Sequence, residues 1–240
     1  MAIQAGEDTF YQAKRGIVQN GLIFNVDSAV DASYNGGSTL RDLQNTTDGT
    51  FSNSPTFNKK KGGVIQFDGT NQAINFTADS ITPPFPFSIN CWVLFPSLGA
   101  SEPIFWSSLV SNYHIGFRIG KDANNNVSTL IGTGSGGGSG SRKNKIGASA
   151  LSADTWYNIC VLFEDVADHT IYLNNQDDGG SYIGGGTTLS YGTGKAPVIG
   201  IEAWGGYSEM ELGCLQIYNR ALTTTEITHN YNATRHRFGV

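Results

Sequence analysis

The sequence predicts an all-β fold, an antiparallel two-sheet sandwich that ends in one short helix. Three observations predict it. Short runs of alternating apolar and polar residues recur along the 240-residue chain, separated by turn formers. Glycine is abundant at 31 residues and aromatics reach 11%, while charged residues stay at 15%, a mix that suits short strands and tight turns. Helix-start signals are scarce, and the clearest is Thr223-x-x-Glu226, a capping-box pattern. The length suits one large β domain with a sizeable core.

In order, residues 1–18 read as a loose polar arm carrying Lys14 and Arg15. "GLIFNVD" is a first strand. "GGVIQFDGTNQAINF" supplies two strands around the tight turn Asp68-Gly69-Thr70-Asn71. The prolines of "ITPPFPF" exclude a central strand there. "FSINCWVLF" follows, with Phe87, Ile89, Cys91, Val93 and Phe95 on one face and Trp92 and Leu94 on the other. Apolar groups on both faces make it an interior strand lying against more than one layer. "YHIGFRIG" and "STLIG" are further strands. "GTGSGGGSGS" (132–141) is an exposed loop between strands of one sheet. "TWYNICVLFED" and "HTIYLNN" form a hairpin across "VAD". "APVIGIEAWGGY" and "MELGCLQIYNRAL" bring the set to roughly a dozen strands, and a helix spans about 224–231.

A net charge of -5 gives no general attraction to nucleic acid or anionic membranes. Lys59, Lys60 and Lys61 beside two glycines read as a solvated turn. Cys91, Cys160 and Cys214 each sit in an apolar run and read as free, buried thiols. The first residues lack the apolar core of a secretory leader, and no apolar run approaches membrane-spanning length.

Six segments, "GLIFNVDSAVDASYNGGSTLRDL", "SPTFNKKKGGVIQFDGTNQAINF", "FSINCWV", "TWYNICVLFEDVADHTIYLNNQ", "VIGIEAWGG" and "GCLQIYNRALTTTEI", together resemble the concanavalin A-like, laminin-G-like jelly rolls over about residues 21–238. The resemblance implies a jelly roll whose first and last strands pair in one sheet. It divides the chain into an arm (1–18), the domain (19–234) and a tail (235–240). The terminal "NYNATRHRFG" resembles the tail of laminin-G-like proteins of tailed bacteriophages. That likeness implies a non-enzymatic structural protein of the virion, a capsid decoration or cement subunit or a tail or neck appendage. It would be made in host cytoplasm without a leader, form homo-oligomers on the particle and contact other virion proteins. A carbohydrate-binding adhesin for host surface glycans is the alternative, and a glycoside hydrolase of laminarinase type comes third.

Each reading selects residues. Sugar binding selects Trp204 and Tyr207 on the Gly-rich "AWGGY", because exposed aromatics stack on sugar rings; Trp92, Trp106 and Trp156 are assigned to the core. Docking to a neighbouring subunit selects Arg235, Arg237 and Phe238, with His236, at the terminus. A glycosidase needs paired carboxylates, for which the sequence offers Glu164, Asp165 and Asp168 or Glu209 and Glu211. The family often holds Ca²⁺, here through Asp27, Asp68 and Glu209, although Gln72, Cys214 and Leu215 stand where relatives carry acids. His114, His169, His229 and His236 lack metal spacing and are expected at or near the surface.

Overall fold

The alternating runs pair into two stacked antiparallel sheets in a computed structural model that describes residues 16–240. The first half of the chain supplies β1 (Leu22–Asp27), β2 (Thr39–Leu40), β3 (Gly49–Ser52), β4 (Thr56–Asn58), β5 (Val64–Asp68), β6 (Ala73–Asn75), β7 (Phe87–Leu94) and β8 (Glu102–Trp106). It continues with β9 (Ile115–Lys121), β10 (Asn126–Thr133), β11 (Arg142–Ala150), β12 (Trp156–Asp165) and β13 (Asp168–Leu173). The short β14 (Gln176–Asp177), β15 (Ser181–Ile183) and β16 (Val198–Ile199) precede β17 (Glu209–Tyr218) and the helix α1 (Thr224–Phe238).

One sheet has eight strands in the order β14-β13-β12-β7-β17-β5-β4, with β1 also on β17. The other has nine, β15-β11-β10-β9-β8-β16-β6-β3-β2. First and last strands therefore pair, as the resemblance implies, through Phe24↔Ile217 and Val26↔Leu215. The hairpin across "VAD" forms as β12 and β13. β5 and β6 differ from a simple hairpin: they flank the Asp68 turn but enter different sheets, so that turn is a corner of the sandwich. Alternation alone cannot separate the two cases, because a strand that changes sheets keeps its inward face inward.

The core lies between the sheets, where Phe87, Ile89, Cys91 and Val93 of β7 meet Phe117 and Ile119 of β9. All three cysteines are free and buried. The opposite face of β7 carries Trp92 and Leu94, and α1 covers it. Between those apolar patches runs a buried amide ladder. Asn158 donates to Asn90 at 3.0 Å, Asn90 to Gln216 at 2.8 Å and Gln216 to Asn25 at 3.2 Å. Four strands are thus linked side chain to side chain beneath the helix, and the buried amides mostly satisfy one another.

Helix α1 begins where expected and ends later. Thr223 and Glu226 form the reciprocal capping box. Arg220 grips Glu226 through both guanidinium nitrogens, and with that cap it holds the Glu226 carboxyl down at about 2. The helix runs to Phe238, seven residues past the expected stop, and closes on Gly239 in the left-handed region. Residues 235–238 are therefore its last turn, where a free tail was expected. The reason is packing: Phe238 is buried, stacks on Trp92 at 4.3 Å and lies tilted against Trp156 at 4.6 Å between ring centres. Arg237 pairs with Asp27 at 2.7 Å. As docking groups for a partner, both are already committed within the chain, while Arg235 stays exposed over Tyr231. Residues 16–18 also differ from a loose arm. Asn230 accepts from Val18 N–H at 2.8 Å, and Tyr218 donates to the Val18 carbonyl at 3.1 Å. The rest of the expected arm, 1–15, lies outside the described residues.

Replacing Phe238 with Ala should lower unfolding free energy by about 3 kcal/mol, the lower end for a buried aromatic. A shift of the urea midpoint with an unchanged m-value would report it.

Candidate functional site on the nine-stranded sheet

Strand alternation gives β9 one apolar and one polar face. Phe117 and Ile119 point into the core, so Arg118 between them points outward. The same logic sends Ser128 and Leu130 of β10, and Arg142, Asn144 and Ile146 of β11, to the outer face. These strands are neighbours, and their outward residues line a depression of about 600 Å³. Asp122 and Asn124 lie at one end, Ser181 and Ile183 of β15 close the side, and Glu202 and Trp204 come from the segment between β16 and β17.

Two loops form the rim. In the 200–208 segment, Ala203 packs with Val198 of β16, Trp106 and Leu130 in a small cluster beneath the site. Trp204 lies above it with its ring 6.3 Å from that of Trp106 and 47% exposed. The Gly-rich segment joins β10 to β11 of one sheet, as expected, and it packs against this rim. At Gly137 a Cβ would meet the Asn112 carbonyl at 2.6 Å and the Trp204 ring at 3.3 Å. Glycine there is a condition of close approach.

The polar groups are buried and specifically arranged. Arg118 is 3% exposed, lies 3.6 Å from Glu202 and donates to Ser101 at 3.2 Å. Burial pulls its pKa down, and Glu202 opposes the shift. His114 is fully buried, against the surface position expected for it, with its ring 4.6 Å from that of Trp204. Arg142 donates to His114 Nε2 at 3.0 Å. Guanidinium can only donate, so Nε2 is the unprotonated nitrogen and Nδ1–H faces Ser141 Oγ at 3.0 Å. Burial, then the Arg142 charge, lowers the His114 pKa to about 4. Among the described residues, the Nε atoms of Arg118 and Arg142 and the Asn144 side-chain oxygen have no hydrogen-bond partner.

Of the sequence-selected pair, Trp204 lines this site and Tyr207 does not; Tyr207 is half-buried in a bridge with Ile201. Trp92, Trp106 and Trp156 are buried, as assigned. His114, Arg118, Asp122, Arg142, Asn144 and Glu202 were not selected. A signal existed: "HIGFRIG" sets His114 and Arg118 on the face opposite Ile115, Phe117 and Ile119, and "RKNKI" sets Arg142 and Asn144 on one face.

The carboxylates sit elsewhere. Glu209 and Glu211 share a face of β17 and, with Asp68, line a separate depression of about 280 Å³. Glu211 is paired with Lys60 and Gln66, and Glu209 accepts from Ser97 at 2.7 Å. Lys60 is therefore an ion-pair partner where a solvated turn was expected, and Lys61 reaches the Phe238 carbonyl at 3.4 Å. Glu164, Asp165 and Asp168 are exposed at the β12–β13 turn. Asp68 opposes Glu209, but Asp27 opposes Cys214, five positions further along β17, and is held by Arg237. The three acids expected to share a cation are thus not brought together, and among the described residues no group of three His, Cys, Asp or Glu converges. His169 is also buried, beneath Tyr182, with its pKa lowered to about 3 by burial and then Lys145.

A family model described as the concanavalin A-like lectin/glucanases superfamily (Laminin_G_3) matches residues 68–228. Among curated proteins no sequence matches the chain. Several solved structures share the fold. One is of botulinum neurotoxin type C, which depends upon interaction with two ganglioside molecules to enter cells (13% identity, TM-score 0.65, 89% of this chain and 51% of that one). Another is the binding domain of Paraclostridial Mosquitocidal Protein 1 (18%, 0.64, 89% and 52%), and a third is Trypanosoma rangeli sialidase (15%, 0.63, 92% and 34%). The chain spans about half the length of the first two and a third of the last.

The two buried histidines make stability depend on pH. Both have folded pKa values below the ordinary 6.5, so the unfolded chain binds more protons as pH falls. Their contribution is present above pH 6.5 and is lost progressively from there down to about 4 for His114 and 3 for His169. Urea midpoints should fall across that window, with a shallower fall in His114→Gln and His169→Gln.

Proposed function

Because the chain belongs to the concanavalin A-like lectin/glucanases superfamily, we propose that it is a carbohydrate-binding module that attaches its bearer to surface glycans. The observation that carries this reading is the half-exposed Trp204 ring standing beside buried, partly unpartnered hydrogen-bonding groups in one depression. A sugar ring offers an apolar C–H face and a rim of hydroxyls. An indole beside Arg118, Arg142, Asn144 and Ser128 is complementary to both. The volume of about 600 Å³ suits a short oligosaccharide. The toxin and sialidase folds lend support, since one of those toxins interacts with gangliosides.

Binding without turnover is the proposed mode, because Glu202 is engaged with Arg118 and Ser101 beside the site. The proposed bearer is a tailed-phage particle, a setting supported by the resemblance of "NYNATRHRFG". A role as capsid decoration draws no support from Arg237 and Phe238, which pack on the domain itself, and would rest on the exposed Arg235.

Screening on a glycan array followed by calorimetry tests the reading. Trp204→Ala should cost on the order of 2 kcal/mol of affinity, about thirtyfold, as for an aromatic anchor. Its thermal midpoint should hardly move, because the ring is half in solvent. A glycan that binds the Trp204→Ala variant as tightly as the native chain would place the site elsewhere.

A further inference from the structure

The charges in the depression are unevenly compensated. Arg118 has Glu202 within 3.6 Å, and Asp122 also acts on it. Arg142 has no carboxylate within 4 Å among the described residues. One of its terminal nitrogens is fixed on His114, whose Nε2 is a neutral acceptor, and its Nε is buried without a hydrogen-bond partner among the described residues. The Arg142 charge disfavours that of Arg118. A guanidinium held in this way, with donors turned to a depression and a second cation beside it, lacks an anion. Asn144, two residues along the same strand face and 7% exposed, adds a polar group at the same place.

Building on the glycan reading, we infer that the site selects acidic glycans, with Arg142 receiving a carboxylate or sulfate group while Trp204 stacks on the sugar that carries it. Arg142 is then the specificity-determining residue. The neutral tautomer of His114 matters because it orients the guanidinium without cancelling its charge. A carboxylate in its place would have filled the same role and removed the selectivity.

The test is an array in which each acidic glycan is printed beside a neutralised counterpart, uronates beside their methyl esters and sulfated sugars beside desulfated ones. Hits are then titrated with the native chain, Arg142→Gln and Arg142→Lys. The native chain should prefer the acidic member by about tenfold or more, one charge-assisted hydrogen bond's worth. The preference should weaken with added salt. Arg142→Gln should bring the two members close to parity, and Arg142→Lys should keep part of the difference. The uronate and sulfate arms identify which anion is received. Equal binding of acidic and neutral members by the native chain, or a preference that survives in Arg142→Gln, overturns the inference and leaves the glycan reading standing. Absence of binding to every member overturns the glycan reading and this inference with it.

Discussion

The structure depends on one strand, β17, and on one backbone position within it. β17 pairs with β7 along one edge and with β5 and then β1 along the other, so it stitches the beginning, middle and end of the chain into one sheet. Its pairing with β7 shifts register between Leu212 and Cys214, at Gly213. A Cβ on Gly213 would stand 2.6 Å from the Phe238 ring. The irregularity therefore serves packing: it clears the space into which the end of α1 inserts. With the helix seated, Trp92 donates to Thr234 at 2.8 Å, Asp27 meets Arg237, and the amide ladder is closed off from water.

The binding face is an output of the same arrangement. β16 and β17 belong to different sheets, and the chain between them crosses the end of the sandwich. That crossing carries Glu202 and Trp204 to the rim of the nine-stranded sheet. A buried ion pair stands at this end: Lys121, fully buried, meets Glu102 at 2.8 Å, and Glu102 also accepts from Glu209 N–H. Removing one member of such a pair strands the other in a poor dielectric, so the pair enforces the geometry of the β8–β9 edge more than it adds stability. Strand β9 then presents Arg118 outward from a fixed backbone, an arrangement better suited to selectivity than a loop-borne charge.

Much of this was legible in the residues. The alternation in "FSINCWVLF" gave both faces of β7, and Thr223-x-x-Glu226 gave the helix start. The helix end was hidden because "NATRHRF" carries no apolar periodicity; it holds through Phe238 docking on tryptophans far away in sequence. The two-sheet split of β5 and β6 was hidden for a related reason, since partner choice is a tertiary fact. Trp204 was legible as an aromatic among glycines. His114, Arg118 and Arg142 were not selected because polar residues inside strands usually face solvent, and only the side-by-side placement of β9, β10 and β11 makes them converge.

Physically, the two outer faces of the sandwich have been given different tasks. On the eight-stranded sheet α1 covers Trp92 and Leu94 of the outer face, and the amides placed there mostly bond one another. The nine-stranded sheet holds charged groups on its outer face that the fold does not fully partner. Leaving a guanidinium Nε buried and unpaired weakens a fold, and a sequence selected for stability alone would remove it. Its presence beside an exposed indole is therefore better explained by what arrives from outside than by what holds the chain together. The core lies between the two faces, and substitutions on one should be nearly additive with those on the other. Recognition on such a scaffold can change without disturbing the strand that closes it.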